Sequence, residues 1–184
     1  AHHGRTPPCA ETLVSAGVAR VVGAASDPDE RVSGKGYAIL RKAGIEVIEG
    51  VLAREAADLM AGYLMRSLRK RPEVTVKLAV SRDGRIGVAG MGQVAITGGI
   101  SRRQVHRMRA EADAIMIGVG TAIADDPELT CRLPGLEARS PVRIVLDGQA
   151  RLPVAAKMVR QAREVPLLIA ASPGCDKGCK AALE

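Results

Sequence analysis

Apolar and polar positions change period several times along the chain, and those changes delimit its elements. Ala10 to Ala16 carries a short helical pattern closed by Gly17, and Val18 to Ala25 is an apolar run of strand length broken by Asp27-Pro28. A second helix is predicted over Gly36 to Ala43, ending at Gly44, with the short strand Ile45-Glu46-Val47-Ile48 behind it. From Val51 the apolar residues Leu52, Ala56, Leu59, Met60, Tyr63 and Leu64 recur at helical spacing. They predict one amphipathic helix of about five turns running to Lys70. Its end, Arg66-Ser67-Leu68-Arg69-Lys70-Arg71-Pro72, sets cations against the negative end of the helix dipole and a proline against continuation. This basic cluster reads as a solvated helix end and as the best domain boundary.

Downstream, the β-rich run Val74 to Val80 predicts a strand leading into a turn at Ser81-Arg82-Asp83-Gly84-Arg85. Ser101 is placed to cap a helix over Arg102 to Ala112. Ala114 to Gly118, Val142 to Asp147 and Val165 to Ala171 predict three further strands, with a helical stretch from Val154 to Arg163 and a last helix starting before Glu184. Strands alternating with helices predict an α/β chain. A sheet begun and not visibly completed is the expected look of a truncated domain.

Composition narrows the class. The 184 residues allow one domain or two small ones, and with no Trp, no Phe and two Tyr the core must be built from Val, Ile, Leu, Met and Ala. No apolar stretch of about 18 residues is present, which excludes a spanning helix. Four scattered cysteines do not make a disulfide scaffold, so a reducing cytoplasm is the expected compartment. The net charge of +7 is uneven, residues 74–184 holding 16 of the basic and 11 of the acidic residues. With almost no aromatics to stack bases on, the chain argues against nucleic acid, and a phosphorylated metabolite explains the charge as well.

Three places concentrate polar residues on predicted loops. His2-His3-Gly4-Arg5-Thr6-Pro7-Pro8-Cys9 combines imidazole and thiolate, but three candidates in eight residues do not make a zinc site by themselves, and an unliganded loop is the simpler reading. Gly118-Val119-Gly120-Thr121, followed by Ala124-Asp125-Asp126-Pro127, lets backbone approach a phosphate without meeting the GxGxxG pattern; its acidic pair reads as a turn. Lys77, Asp83, Arg109 and Arg132, with Arg82, Arg85, Arg102, Arg103 and Arg107, could clamp a phosphate, though each singly reads as a surface charge. His106 reads as a solvated helix residue, and the Cys175/Cys179 pair as incidental.

Taken together, HHGRTPPC, GVARVV, GKG, AGIEV, VKLAVSRDGRI, ITGGISR, VHRMRAEADAIMIGVGTAIADDPELT and PVRIVLD resemble the bifunctional riboflavin-biosynthesis deaminase/reductase family, from Ala1 to about Leu152. The resemblance implies the C-terminal portion of a cytidine-deaminase-like zinc domain over 1–70, followed by the N-terminal portion of a dihydrofolate-reductase-like NADPH domain over 71–184. It also implies two activities: zinc-dependent deamination of a diaminohydroxy-phosphoribosylamino-pyrimidine, and NADPH-dependent reduction of the product's ribose to a ribityl chain.

Carried over residue by residue, Cys9 matches the last zinc ligand and Arg5 a substrate contact of the deaminase; the other zinc ligands and the proton-shuttling Glu are unmatched, so deamination by this chain alone is not expected. Lys77 matches the basic residue near the reacting ribose, and Ala79, Ala95, Thr121, Asp125 and Gly148 match cofactor positions. Gln93, Arg109, Leu129 and Arg132 match substrate positions, and Asp126 becomes a structural residue. Ala95 stands where many members have Trp, and Gly148 where a Ser often touches the cofactor. The expected molecule is a cytoplasmic homo-oligomer acting on a phosphorylated pyrimidine, with no nucleic-acid or membrane partner. The alternatives are a folded but inactive binding or scaffolding piece, and a stand-alone NADPH pyrimidine reductase.

Overall fold

A computed structural model describes residues 7–29, 32–88 and 90–184. They fall into two compact units that meet in sequence between Val76 and Lys77. In the first, helix α1 (Cys9–Ser15), strand β1 (Arg20–Gly23), helix α2 (Lys35–Lys42) and strand β2 (Glu46–Glu49) form a β-α-β unit with a helix in front. The strands are parallel, Arg20 opposite Glu46, and those two side chains form a 2.6 Å ion pair. Ala10, Leu40 and Ile45 are the buried centre, with Leu13, Val14, Val21, Tyr37 and Val47 packed around them. Gly17 and Gly44 close the helices with φ of 67° and 79°, as a left-handed helix end requires. Gly23 faces Tyr37 so closely that a Cβ there would lie 1.9 Å from the phenol oxygen.

The long amphipathic helix expected to Lys70 is broken. Leu52 at φ 57° precedes α3 (Ala53–Leu59), Met60 separates it from the single turn α4 (Ala61–Leu64), and a π-turn covers Met65–Arg69. The apolar residues keep their spacing, but Leu59 and Leu68 stay exposed, so no continuous stripe is buried to hold one helix together. Tyr63 donates a 2.7 Å hydrogen bond to Asp27, tying α4 to the turn after β1. Lys70, at φ 55°, ends the segment, and its ammonium donates to the Ser67 carbonyl.

The run Val74 to Val80, which in sequence passes from the first unit into the second, is not a strand. No strand among the described residues pairs with it, and Val74, Val76, Leu78 and Val80 are exposed. The turn after it forms as expected: Ser81 N–H donates to the Arg85 carbonyl at 2.8 Å and Gly84 takes φ 78°. Helix α5 spans Gly99–Glu111. It starts from Gly98, whose carbonyl accepts the Arg102 N–H, so Ser101 lies inside the helix and does not cap it.

Strands β3 (Ala114–Gly118), β4 (Val142–Leu146) and β5 (Leu167–Ala170) form a parallel sheet in that order. The cross-strand rows Ile115–Arg143–Leu167 and Ile117–Val145–Ile169 face a core of Val119, Ala122, Leu129, Leu152, Ala156 and Met158. The rows between them leave Met116, Leu146 and Leu168 exposed on the other face. The core is supplied by α6 (Val119–Asp125), by the turn α7 (Lys157–Arg160), shorter than the stretch expected over 154–163, and by Leu183 of α8 (Lys177–Leu183). The α/β expectation therefore holds, and both sheets are parallel. No described helix is long and apolar enough to cross a membrane.

Candidate functional site

Arg143 is the least ordinary residue of the core. It occupies a middle-strand position facing inward, is fully buried, and spreads its guanidinium over backbone carbonyls. Nη1 donates to Glu128 at 3.2 Å, and Nη2 donates to Met158 and Gln161, each at 3.1 Å, and also to Val165. Burial pulls this guanidinium below its ordinary pKa, with Glu128 opposing. It thereby fastens the end of α7 and the start of the loop 128–132 to the sheet. Immediately after β4, the Asp147 carboxylate is also buried; one oxygen accepts the Leu152 N–H at 2.8 Å and the other has no hydrogen-bond partner.

The loop 126–132 concentrates the second unit's polar chemistry. Asp126 and Leu129 both take left-handed conformations, φ 38° and 58°, which costs non-glycine residues energy and must be held by the surroundings. Asp126 is held by the Lys157 N–H at 2.9 Å and by the Lys157 ammonium at 3.7 Å, a structural role. Leu129 is held by burial of its side chain in the core, so only its backbone faces outward chemistry. Helix α5 packs along the next residues: Arg109 Nη1 donates to the Thr130 carbonyl at 2.9 Å, the Cys131 thiol donates to the His106 carbonyl at 3.4 Å, and the Arg132 N–H donates to His106 Nδ1 at 3.1 Å.

Arg109 and Arg132 thus lie close enough to oppose one another's charge. Arg109 is pulled below its ordinary value by burial first and Arg132 second, and its Nε is buried without a hydrogen-bond partner. Arg132 is exposed and pairs with Glu128 at 2.7 Å. Two neighbouring guanidinium groups, one on α5 and one on the loop packed against it, are suited to a multivalent oxyanion.

The other sequence-predicted residues divide by location. Thr121, exposed, and Asp125, half-buried, lie one turn apart on α6; the expected glycine loop there is only Gly118, since Gly120 is inside the helix. Gly148 follows β4 beside the turn after β5, where a Cβ would lie 3.1 Å from Ser172 Oγ. Gly118, Asp147, Gly148 and Ser172 therefore share the carboxyl end of the sheet, where α/β sheets bind ligands.

Lys77, Gln93 and Ala95 are exposed and Ala79 half-buried, all on the stretch 71–98, whose described residues lack regular structure. Gly92, next to Gln93, approaches the end of α6, a Cβ there falling 3.9 Å from the Ala124 carbonyl. Arg5, with His2 and His3, lies outside the described residues. Cys9 is an exposed free thiol, and among the described residues no group of three His, Cys, Asp or Glu could hold a metal ion, so the zinc expectation finds no site to support it. Cys175 and Cys179 are free as well.

Sequence reasoning missed His106, Arg143 and Asp147. A lone Arg within the apolar run Val142 to Leu146 was the available signal for Arg143, because an inward-facing charge on a middle parallel strand must find partners.

Comparison with known proteins gives a consistent picture. The family model described as the RibD C-terminal domain matches residues 72–184. Riboflavin biosynthesis protein RibD of Actinobacillus pleuropneumoniae is 41% identical over 169 residues, covering 92% of this chain and 44% of that protein. The Escherichia coli protein of the same name is 40% identical over 174 residues, 89% of this chain and 47% of its own length. Among solved structures, Acinetobacter baumannii RibD superposes with a TM-score of 0.80 at 38% identity, over 99% of this chain and 51% of that one. A Thermotoga maritima diaminohydroxyphosphoribosylaminopyrimidine deaminase/5-amino-6-(5-phosphoribosylamino)uracil reductase does so with a TM-score of 0.84 at 36% identity, over 95% of this chain and 49% of that one. The chain spans about half the length of the relatives it matches.

Proposed function

Since the chain belongs to the RibD C-terminal domain family, we propose that its second unit is the reductase part of a riboflavin-biosynthesis enzyme, a dihydrofolate-reductase-like fold that takes NADPH and a phosphoribosylamino-pyrimidine. The observation that carries the reading is the match over residues 72–184 to a family whose relatives are named for riboflavin biosynthesis. The first unit is read as the adjoining end of a cytidine-deaminase-like domain. Among the described residues no group fits zinc, and no deamination step is assigned to them. The enzyme is read as a cytoplasmic homo-oligomer.

The residues fit the nicotinamide cofactor better. The carboxyl end of the sheet offers Gly118, where a Cβ would meet nothing within 4 Å, and Gly148, where a Cβ would crowd Ser172 Oγ at 3.1 Å and the backbone is left bare. Thr121 and Asp125, on one side of α6, would hold the cofactor by hydroxyl and carboxylate, with Ala79, Ala95 and Gly148 along it. When bound, NADPH supplies a hydride to the ribose carbon. Lys77 would polarise the reacting ribose, Gln93 and the Leu129 backbone would orient the substrate, and Arg109 with Arg132 would hold its phosphate dianion.

Titration of NADPH into the folded chain, followed by nicotinamide fluorescence, tests this reading. Saturable binding is expected, weakened about tenfold or more in Asp125→Ala, as for loss of one charged hydrogen bond, and unchanged in Arg132→Ala. Absence of binding by a chain that circular dichroism shows to be folded would overturn the cofactor assignment for these residues.

A further inference from the structure

His106 has no part in the reductase reading, yet its ring accepts the Arg132 N–H and it lies one turn from Arg109 on α5. Three hydrogen bonds tie consecutive residues of the loop to α5: Thr130 through Arg109, Cys131 through the His106 carbonyl, and Arg132 through His106 Nδ1. Only the last holds the residue whose side chain is meant to meet an anion. The Arg132 guanidinium is tethered to Glu128 within its own loop, so the imidazole is what fixes its backbone against the helix.

We propose that His106 is the positioning residue of the anion clamp: its neutral imidazole, accepting the Arg132 N–H, sets the point from which the Arg132 guanidinium reaches an oxyanion shared with Arg109. The proposal rests on reading Arg109 and Arg132 as that clamp. A backbone N–H donates to Nδ1, so the ring's proton is on Nε2, and protonation would turn the acceptor into a second donor and end the bond.

The surroundings favour the neutral ring. From α5 it faces Arg109, with Arg102 and Arg103 on the preceding turn; from the loop it faces Arg132 with its partner Glu128, the Thr130 carbonyl and the Cys131 thiol. The turn Glu137–Arg139, also packed on α5, adds one charge of each sign. Burial, then Arg109 and Arg132, push His106 below the ordinary histidine value, with the Thr130 carbonyl opposing. A depressed folded value means that the anchor is complete above the ordinary histidine pKa and is lost as pH falls through His106's own lower one.

The test uses the whole chain, 15N-labelled, with ribose 5-phosphate as the probe. At about pH 7.5 the Arg132 amide is expected to be protected from hydrogen exchange about tenfold more than in His106→Leu, the equivalent of one retained hydrogen bond. His106→Asn, whose side-chain oxygen stands where Nδ1 stood, is expected to keep that protection and to lose its dependence on pH between about 7.5 and 5. Ribose 5-phosphate is expected to bind about tenfold more weakly to His106→Leu and normally to His106→Asn. Equal Arg132 protection in wild type and His106→Leu, or equal ribose 5-phosphate affinity in the two, overturns the positioning role and leaves the clamp intact. Failure of the wild-type chain to bind ribose 5-phosphate overturns the clamp itself.

Discussion

Replacing Arg143 by Met is expected to destabilise the second unit by about 3 kcal/mol, because the substitution keeps the volume but leaves four backbone carbonyls without their buried donor. The wild-type guanidinium bonds Glu128, Met158, Gln161 and Val165 from a position fully excluded from solvent. Those carbonyls belong to segments that approach β4 from different directions, so no single apolar side chain can satisfy them together. Arg143→Lys, with a point charge and a shorter reach, is expected to recover only part of the loss. Urea unfolding reads both. An unfolding free energy for Arg143→Met within about 0.5 kcal/mol of wild type would show that the stranded carbonyls find other partners. The loop 128–132 is fastened at the same point, so the variant should also loosen the anion clamp.

Arg109→Ala is expected to weaken binding of ribose 5-phosphate by about 10- to 100-fold, the range given by losing one or two charged hydrogen bonds. Arg132→Ala should cost less, about tenfold, because the Arg132 guanidinium is already shared with Glu128 in the free protein. The order follows from burial: Arg109 has lost part of its hydration and holds an unmatched donor, so an anion there regains what folding removed. Calorimetric titration of both variants checks the ranking, and an Arg132 effect larger than the Arg109 effect would invert it. Both effects should shrink as salt is raised, since the clamp lies at the surface.

The strands of the second unit were legible because each is a run of apolar residues bounded by turn chemistry, and β3 forms over Ala114–Gly118 as its sequence suggests. Val74 to Val80 carries an equally good pattern and forms no strand. A ladder belongs to two segments at once, and alternation in one of them cannot declare whether a partner is there. The helix expected to Lys70 fails for a related reason: the spacing of its apolar residues is right, but the break at Met60 depends on which of them find a surface to cover.

In the site, Arg109 and Arg132 were readable from the resemblance, and the structure brings them together through α5 and the loop 128–132. His106 was read as a solvated helix residue because its hydrogen-bond partner lies 26 positions away, beyond any local pattern. Arg143 was hidden by its neighbours, an apolar strand run in which one charge looks like an exception to ignore.

The outer face of the β3–β4–β5 sheet puts Met116, Leu146 and Leu168 in water, and no strand among the described residues pairs with either of its edges. Copies of the chain are kept apart by a net charge of +7, a repulsion that acts over a Debye length of about 8 Å at physiological ionic strength and only about 3 Å at 1 M. Attraction between apolar faces does not fade in the same way, and sulfate or phosphate strengthens it. The colloidal behaviour of the molecule is accordingly that of a cationic particle with a sticky side: ions that screen it bring its copies together, and it salts out where an evenly polar protein of equal charge would stay dispersed.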